Sequence, residues 1–464
     1  MTIAEYLPVD GIEEAIALGP NGADVTSKVP FAMTKPHEVP AERYYSREFY
    51  ELEKKHLWPK VWQMAAREEE LPHPGDFVEY EIVGQSILIV RQPDMSVKAL
   101  HNACRHRATE LASGCGRFPG NQIVCPFHGW RWKTDGQISH VFGREGFSDE
   151  AVDPLNINLR EAQCETWGGH VWINLDLEAP SLIESLFPAA NILERQGVQR
   201  MKAKWWKESI INCNWKLAQE AFFEGWHVKQ THPQLWTYKE VDGEEEINKQ
   251  NVAYTPFLNG HGRFQSGDAR SSYGGKPDFL HSARMNWSGQ DAMTLERDVT
   301  IFESVAGELD TSTPEYTMKA IGALYEFYKG AGIPAPPFTP EVMKLWGGDI
   351  HLFPNYLMLP MYANSLAYRI RPYNDDPDWC RFEVWSLTTY PEGEDRGRLT
   401  LTGRYDKDDD DHWGLIPRQD FANLERMQRG IKNQSLGHTT LAEQWEITIS
   451  NMHQELDRRL AAEL

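Results

Sequence analysis

Cysteine is scarce. Six residues in 464, Cys104, Cys115, Cys125, Cys164, Cys213 and Cys380, are too sparse to staple so long a chain into a disulfide scaffold. A cysteine with a special role here is therefore expected to bind metal or to react. Positive charge is short too: 47 Lys and Arg against 68 Asp and Glu leave a formal −21. That balance argues against nucleic acid or an anionic membrane as the default partner, and suits neutral or cationic ones better. No run of about 18 uninterrupted apolar residues occurs, and the opening MTIAEYLPVDGIEEA has no basic stretch leading into an apolar one. The expected compartment is the cytoplasm, with no membrane span. Fixed-period repeats are also missing. What the chain does have is core material, 41% hydrophobic residues with 17 Trp, in a length that suits two or three domains.

Residues 1–45 read as an arm: a short helical pattern, DGIEEAIALG, ended by glycine, then a stretch punctuated by Pro30, Pro36 and Pro40. From Phe77 to Arg91 the run FVEYEIVGQSILIVR is rich in strand formers and broken at Gly84-Gln85, where glycine at the first central position suits a type II′ hairpin. This β-rich module closes near GGHVWINLDLEAP, and the boundary is placed at about residue 180. Residues 258–277 and 331–340, rich in Gly, Ser and Pro, read as long loops of a second module. The runs YLMLPMY, SLAYRIRP, RFEVWSLTTYP and RLTLTGRY then read as successive strands, before a helical C-terminus from about Asp420. The second module is expected to be α+β with an antiparallel sheet.

Two constellations carry chemistry. Cys104-x-His106 stands ahead of Cys125-x-x-His128, and each half supplies one thiolate and one imidazole. A zinc finger more usually pairs cysteine with cysteine and histidine with histidine. Mixed halves suit a [2Fe–2S] cluster with two Cys on one iron and two His on the other, although a structural zinc site is the bland alternative. Neutral imidazoles raise the reduction potential and keep an N–H that can meet an external acceptor. Farther on, NWKLAQEAFFEGWHVKQTHP places Glu220, Glu224 and His227 at i, i+4 and i+7, one stripe of a helix. His232 would point away on a regular helix, but Pro233 pushes its predecessor off the α region, so the helix is expected to end there. Two histidines then converge, and with one carboxylate they make the facial triad that leaves positions open on Fe(II). Without other support this stretch would read as a solvated Glu stripe and a core histidine. Phe222 and Phe223 stand beside it, as core or as a pocket border.

The motifs CRHR and CPFHGWRWKTDG resemble the two loops of a Rieske domain, with Ala108 where that family usually has glycine. The NWK stretch resembles the mononuclear-iron motif of Rieske-type non-haem iron oxygenases, and QDFANLERMQRG resembles the family's late D-x-x-N-x-E-x-x-Q-x-G element. The chain thus resembles the large, alpha subunit of the aromatic ring-hydroxylating dioxygenase family across both halves. The resemblance implies an α+β fold, with a Rieske [2Fe–2S] domain over 46–180 and a helix-grip catalytic domain over 181–464. It implies Cys104, His106, Cys125 and His128 as cluster ligands, His227, His232 and Asp420 as ligands of mononuclear Fe(II), and no ligand role for Cys115. Asp410 and Asp411 compete for the carboxylate position, though acidic runs are usually solvated. Glu224 matches the carboxylate, usually Asp, that bridges to a Rieske histidine of the neighbouring subunit, here His128; glutamate there resembles carnitine-oxygenase-like members. Implied partners are a small organic substrate, O2, and a reductase passing electrons from NAD(P)H, with or without a ferredoxin. The implied assembly is a trimer, with or without a small β subunit. Three activities follow as expectations: hydroxylation or dihydroxylation of an aromatic or cyclic compound; N- or O-demethylation, as of a quaternary ammonium compound; and, as the outsider, electron carriage without oxygen chemistry.

Overall fold

The computed structural model describes residues 28–235, 252–266, 278–343 and 348–462, so the helical pattern read at residues 10–19 lies outside them. The described residues form two compact units. One holds Leu57–Leu182 with Asp395–Thr400, and the other holds residues 28–56, Ile183–Glu394 and residues 401–462. Residues 46–56 thus group with the C-terminal unit rather than with the β-rich one. An ion pair invisible in the sequence explains this: Lys216 Nζ donates to Glu53 Oε1 at 2.6 Å, and Trp215 donates to the other oxygen at 3.2 Å, all of it buried.

The first unit is built on β1 (Gln63–Arg67), β2 (Asp76–Ile82), β3 (Gln85–Arg91), β4 (Val97–His101) and β5 (Cys115–Arg117). It continues through β6 (Gln122–Val124), β7 (Arg131–Lys133), β8 (Ile138–His140), β9 (Glu161–Trp167) and β10 (His170–Asn174). A seven-stranded sheet runs β1-β10-β9-β4-β3-β2-β5, and β6-β7-β8 make a smaller antiparallel one. The β2–β3 hairpin pairs Ile82 with Gln85, so its two-residue turn is Val83-Gly84, one residue earlier than the sequence reading placed it. Both turn residues have positive φ, +41° and +80°, which makes the turn type I′ rather than II′. The twist of the flanking strands imposes this conformation even on β-branched Val83.

In the second unit the strands are β11 (Lys202–Ile211), β12 (Val252–Pro256), β13 (Gly262–Ser266), β14 (Ile350–Leu352), β15 (Tyr356–Met361), β16 (Asn364–Tyr373) and β17 (Asp376–Thr388). They form one antiparallel ladder, β12-β13-β14-β15-β16-β17-β11, with the short segment Gly403–Arg404 parallel at its edge. Two loop and strand expectations change. Residues 262–266 are strand, not loop, because β13 pairs with β12 across Tyr254↔Phe264. The run RLTLTGRY is not a strand beyond Gly403–Arg404: residues 395–400 leave the sheet, and Arg398 instead donates to the carbonyls of Gly116 and Phe77. Residues 331–338 carry no helix or strand, as the Pro and Gly content predicts.

Seven helices matter to the C-terminal unit: α1 (Trp215–Glu220), α2 (Val228–Thr231), α3 (Phe279–Gln290), α4 (Glu296–Ser304), α5 (Pro314–Gly330), α6 (Leu415–Ile431) and α7 (Ile447–Ala462). Alternation along β16 and β17 sorts the side chains into two faces. One carries Tyr368 and Phe382, which meet Phe222 at 4.5 and 5.6 Å and Phe421 of α6 at 5.1 Å from Phe382. The other buries Glu383 between Arg369 and Arg371, at 2.6 and 3.0 Å, and the guanidiniums hold that carboxyl down at about 2 although burial alone would raise it. Among the described residues no helix is long and apolar enough to cross a membrane.

Candidate functional site

The two Cys/His loops of the first unit share one backbone geometry. Cys104 N–H donates to the Thr109 carbonyl and Ala108 N–H to the Cys104 carbonyl, both at 2.8 Å; Cys125 N–H donates to Trp130 at 2.8 Å and Gly129 N–H to Cys125 at 3.0 Å. Each turn points two N–H groups at its sulfur, those of His106 and Arg107 at Cys104 and those of Phe127 and His128 at Cys125. Donors so placed favour thiolate, the form that binds metal. Both cysteines are buried. The rings of His106 and His128 lie 4.7 Å apart, and His106 stacks on Trp130 at 5.0 Å. His106 Nδ1 is buried with no hydrogen-bond partner among the described residues, as expected of an atom whose partner is a metal ion. Two buried sulfurs and two imidazoles, presented by matched turns, fit a [2Fe–2S] cluster. Cys115 is exposed at the start of β5 and outside this set.

The fifth position of each turn has positive φ, +69° at Gly129 and +57° at Ala108. An L side chain there costs about 1 kcal/mol. Ala108→Gly should raise stability by up to about that amount, less the entropy glycine loses on folding, read as a shift in thermal midpoint with the visible spectrum of the cluster unchanged.

In the second unit the NWK stretch does not make one helix. Asn214 caps α1, its side chain accepting from Lys216 N–H at 3.0 Å, but α1 stops at Glu220. Residues 221–227 are turns, after which α2 starts from His227 and ends at His232, whose φ of −121° and ψ of +56° are non-helical before Pro233. The proline effect is as expected; the single stripe of Glu220, Glu224 and His227 is not. Turns rather than helical phase bring the histidines together. His232 Nε2 lies 3.0 Å from Asp420 Oδ1 and His227 Nε2 lies 3.9 Å from the same oxygen. One ligand atom from each of the three lies within 4.8 Å of the others. Asp420 is buried on the inner side of α6, whereas Asp410 and Asp411 are exposed on the acidic run.

Neighbours fix the imidazole tautomers. His227 Nδ1 lies 2.6 Å from Glu224 Oε1, and His232 Nδ1 lies 2.8 Å from Gln419 Oε1, so both Nδ1 atoms donate and both Nε2 lone pairs face Asp420. Gln419 is held in turn by Gln234 at 2.8 Å. Sequence reasoning missed this pair, since an isolated glutamine carries no signal. Burial disfavours the charge on His227, but Glu224 and Asp420 outweigh it and raise its pKa. Two imidazoles and one carboxylate, oriented this way, fit a facially bound Fe(II). Glu224 is buried, and its Oε2 also accepts N–H from Trp226 at 2.6 Å and His227 at 3.1 Å. Phe222 and Phe223 are both buried, the first against Tyr368 and the second stacked on His351 at 3.8 Å.

Glu220 serves a different purpose. It accepts from Tyr44 Oη at 2.9 Å and meets His453 Nε2 at 2.8 Å, tying the N-terminal segment to α7. Burial pushes its carboxyl up to about 8, against the opposing effect of Tyr44. An acid whose folded pKa exceeds its unfolded one contributes stability that is full below the unfolded value and lost as pH rises to the folded one. The protein should therefore lose stability between about pH 4.5 and 8, and Glu220→Gln should flatten that dependence; denaturant midpoints across this range would read it.

An iron–sulfur module followed by a sheet-and-helix module with a His/His/carboxylate set is the architecture of Rieske oxygenases, and solved structures share the fold. A quaternary ammonium Rieske monooxygenase superposes with a TM-score of 0.61 at 19% identity, covering 93% of this chain and 99% of that one. Naphthalene 1,2-dioxygenase with indole bound gives 0.66 at 17%, covering 94% of each chain. Residues 61–146 match the Rieske [2Fe-2S] domain and residues 165–462 the ring hydroxylating alpha subunit (catalytic domain), and the chain belongs to that alpha-subunit family. The carnitine monooxygenase oxygenase subunit of Escherichia coli (strain K12) is 32% identical over 207 residues, 44% of this chain and 54% of that one. The anthranilate 1,2-dioxygenase large subunit of Acinetobacter baylyi is 28% identical over 204 residues, 42% of each. The glycine betaine monooxygenase oxygenase subunit of Pseudomonas aeruginosa (strain UCBPP-PA14) is 28% identical over 198 residues, 42% of this chain and 45% of that one. The chain spans about half the length of the curated relatives it matches.

Proposed function

We propose that this chain is the terminal oxygenase component of a Rieske system, using O2 and electrons passed from NAD(P)H by a reductase, with or without a ferredoxin, to hydroxylate or dihydroxylate an aromatic or cyclic substrate. The observation that carries the reading is the presence in one chain of the paired Cys/His turns and of His227, His232 and Asp420 within 4.8 Å. Cys104, His106, Cys125 and His128 hold the cluster, and His227, His232 and Asp420 hold iron. Bound iron with open positions supplies O2 activation next to substrate. The protein's own part is orientation: Glu224 and Gln419 keep both imidazoles turned toward Asp420. On the family pattern His128 of a neighbouring subunit meets Glu224, so the working form is a head-to-tail trimer, with or without a small β subunit. A cytoplasmic setting, where NAD(P)H is at hand, suits this reading.

Glu224 in place of the family's usual aspartate favours a second reading, an N- or O-demethylating monooxygenase. Two of the similar proteins, the carnitine and glycine betaine monooxygenase subunits, have names that fit it. Both readings are tested by reconstitution with a reductase, NADH and 18-O2 over a panel of aromatic and N-methylated compounds. Label in a hydroxylated product supports the first and formaldehyde supports the second. No label in any product would return the chain to an electron carrier.

A further inference from the structure

Buried carboxylates of the C-terminal unit are accompanied by cations or donors. Glu383 has Arg369 and Arg371, Glu53 has Lys216 at 2.6 Å, and Asp457 has Arg43 at 2.5 Å. Asp349 is different. It is 4% exposed, and among the described residues its Oδ1 is the one buried carboxylate oxygen with no hydrogen-bond partner. Among the described residues the charged neighbour it feels is another carboxylate, Glu224. Burial, reinforced by that like charge, raises its pKa well above the usual carboxylate range. A fold that only needed filling at this position would be more stable with an apolar residue.

Its place in the sheet relates it to the iron site. Asp349 lies two residues before His351, which pairs with Leu357, which pairs with Tyr368, so all project from the face that packs on Phe222 and Phe223. Phe264 N–H donates to the Asp349 carbonyl at 3.0 Å, and Phe264 pairs with Tyr254, whose hydroxyl accepts from Gly225 at 3.3 Å. Tyr254 feels the charges of both Glu224 and Asp349, and Tyr368 those of both Asp420 and Asp349. Gly348, at φ +125°, sits so close to Phe264 that an added Cβ would lie 1.9 Å from its carbonyl oxygen, so the backbone leading into Asp349 is fixed. Among the described residues a preset carboxylate therefore stands without a counter-ion, on the aromatic sheet face where Tyr368 feels Asp420 as well.

We propose that Asp349 determines specificity for a cationic substrate, receiving the charge of an N-alkylated ammonium group beside the aromatic rings of Tyr254 and Tyr368; this rests on the reading of the site as an oxygenase centre. A carboxylate with aromatic faces matches a quaternary ammonium, which offers charge but no N–H donor. The net charge of −21 draws cations toward the protein as a whole. Arrival of the cation favours ionised Asp349, and its proton leaves to solvent.

The test is equilibrium binding to the iron-loaded protein of two shape-matched pairs that differ in charge, choline against 3,3-dimethylbutan-1-ol and phenyltrimethylammonium against tert-butylbenzene. In at least one pair the cation should bind tighter, and Asp349→Asn should weaken it about tenfold or more while leaving the neutral partner unchanged. Calorimetry in buffers of different ionisation enthalpy should show proton release when the cation binds the unaltered protein, a readout that needs no variant. Absence of a cation preference in both pairs, or its full retention in Asp349→Asn, overturns the proposal. Failure of 18-O2 incorporation with a retained cation preference would instead sink the oxygenase reading and leave Asp349 as a cation site.

Discussion

Asp420→Ala is expected to purify with about two irons per chain where the unaltered protein carries about three, keeping its Rieske-type EPR signal and losing oxygenation by at least about 10³-fold. The reason is geometric. Asp420 Oδ1 is the point toward which both Nε2 atoms are turned, at 3.0 and 3.9 Å, and without it two imidazoles are left to hold a divalent ion. The candidate cluster ligands belong to the other compact unit, so the loss is expected to be confined to one centre. Iron analysis with EPR of the dithionite-reduced protein reads both centres at once. Three irons retained in the variant would move the third ligand elsewhere, and zinc without iron in the unaltered protein would overturn the assignment of both sites.

Glu224→Gln is expected to separate metal binding from electron transfer. The carboxylate of Glu224 now satisfies three donors, His227 Nδ1 and the N–H groups of Trp226 and His227. A glutamine offers one acceptor oxygen and turns an NH2 group toward the rest, so the hold on His227 weakens. Loss of such a supporting contact typically changes metal affinity or activity by about 10–100-fold. With iron supplied in excess both centres should load, while single-turnover product formation from the reduced cluster slows by about that factor. Product formation at the normal rate would remove Glu224 from the path between the centres. Glu224→Asp, the family's more usual residue, should recover more of the rate than the glutamine variant.

The metal-binding chemistry was legible because it depends on residue type and short spacing. Cys104-x-His106 and Cys125-x-x-His128 are each short enough for one turn to set their geometry, and the structure adds only that the two turns match, with Ala108 adopting the conformation of Gly129. The break before Pro233 was legible for the same reason. The helical stripe was misread because spacing alone does not say where a helix stops: α1 ends at Glu220, whose carboxyl goes to Tyr44 and His453, residues far away in the chain.

Strands were visible where alternation is strong, as in β15, β16 and β17, and lost where a segment pairs outside its own sheet. RLTLTGRY has strand composition, but Leu399 N–H goes to the Glu69 carbonyl, and only from Thr402 to Tyr405 does the segment bond the edge of β11. The hairpin was found but its turn type was not, because that follows from the register Ile82↔Gln85.

By itself the sequence determined the class of chemistry: paired Cys/His turns, two histidines before a proline, and a late aspartate are local patterns, and local patterns survive without coordinates. Tertiary structure decided which carboxylate faces the histidines, what turns their rings, and that Asp349 is buried without a counter-ion among the described residues. These are properties of contacts between residues tens to hundreds of positions apart, fixed by strand register and helix packing, and no window along the chain contains them.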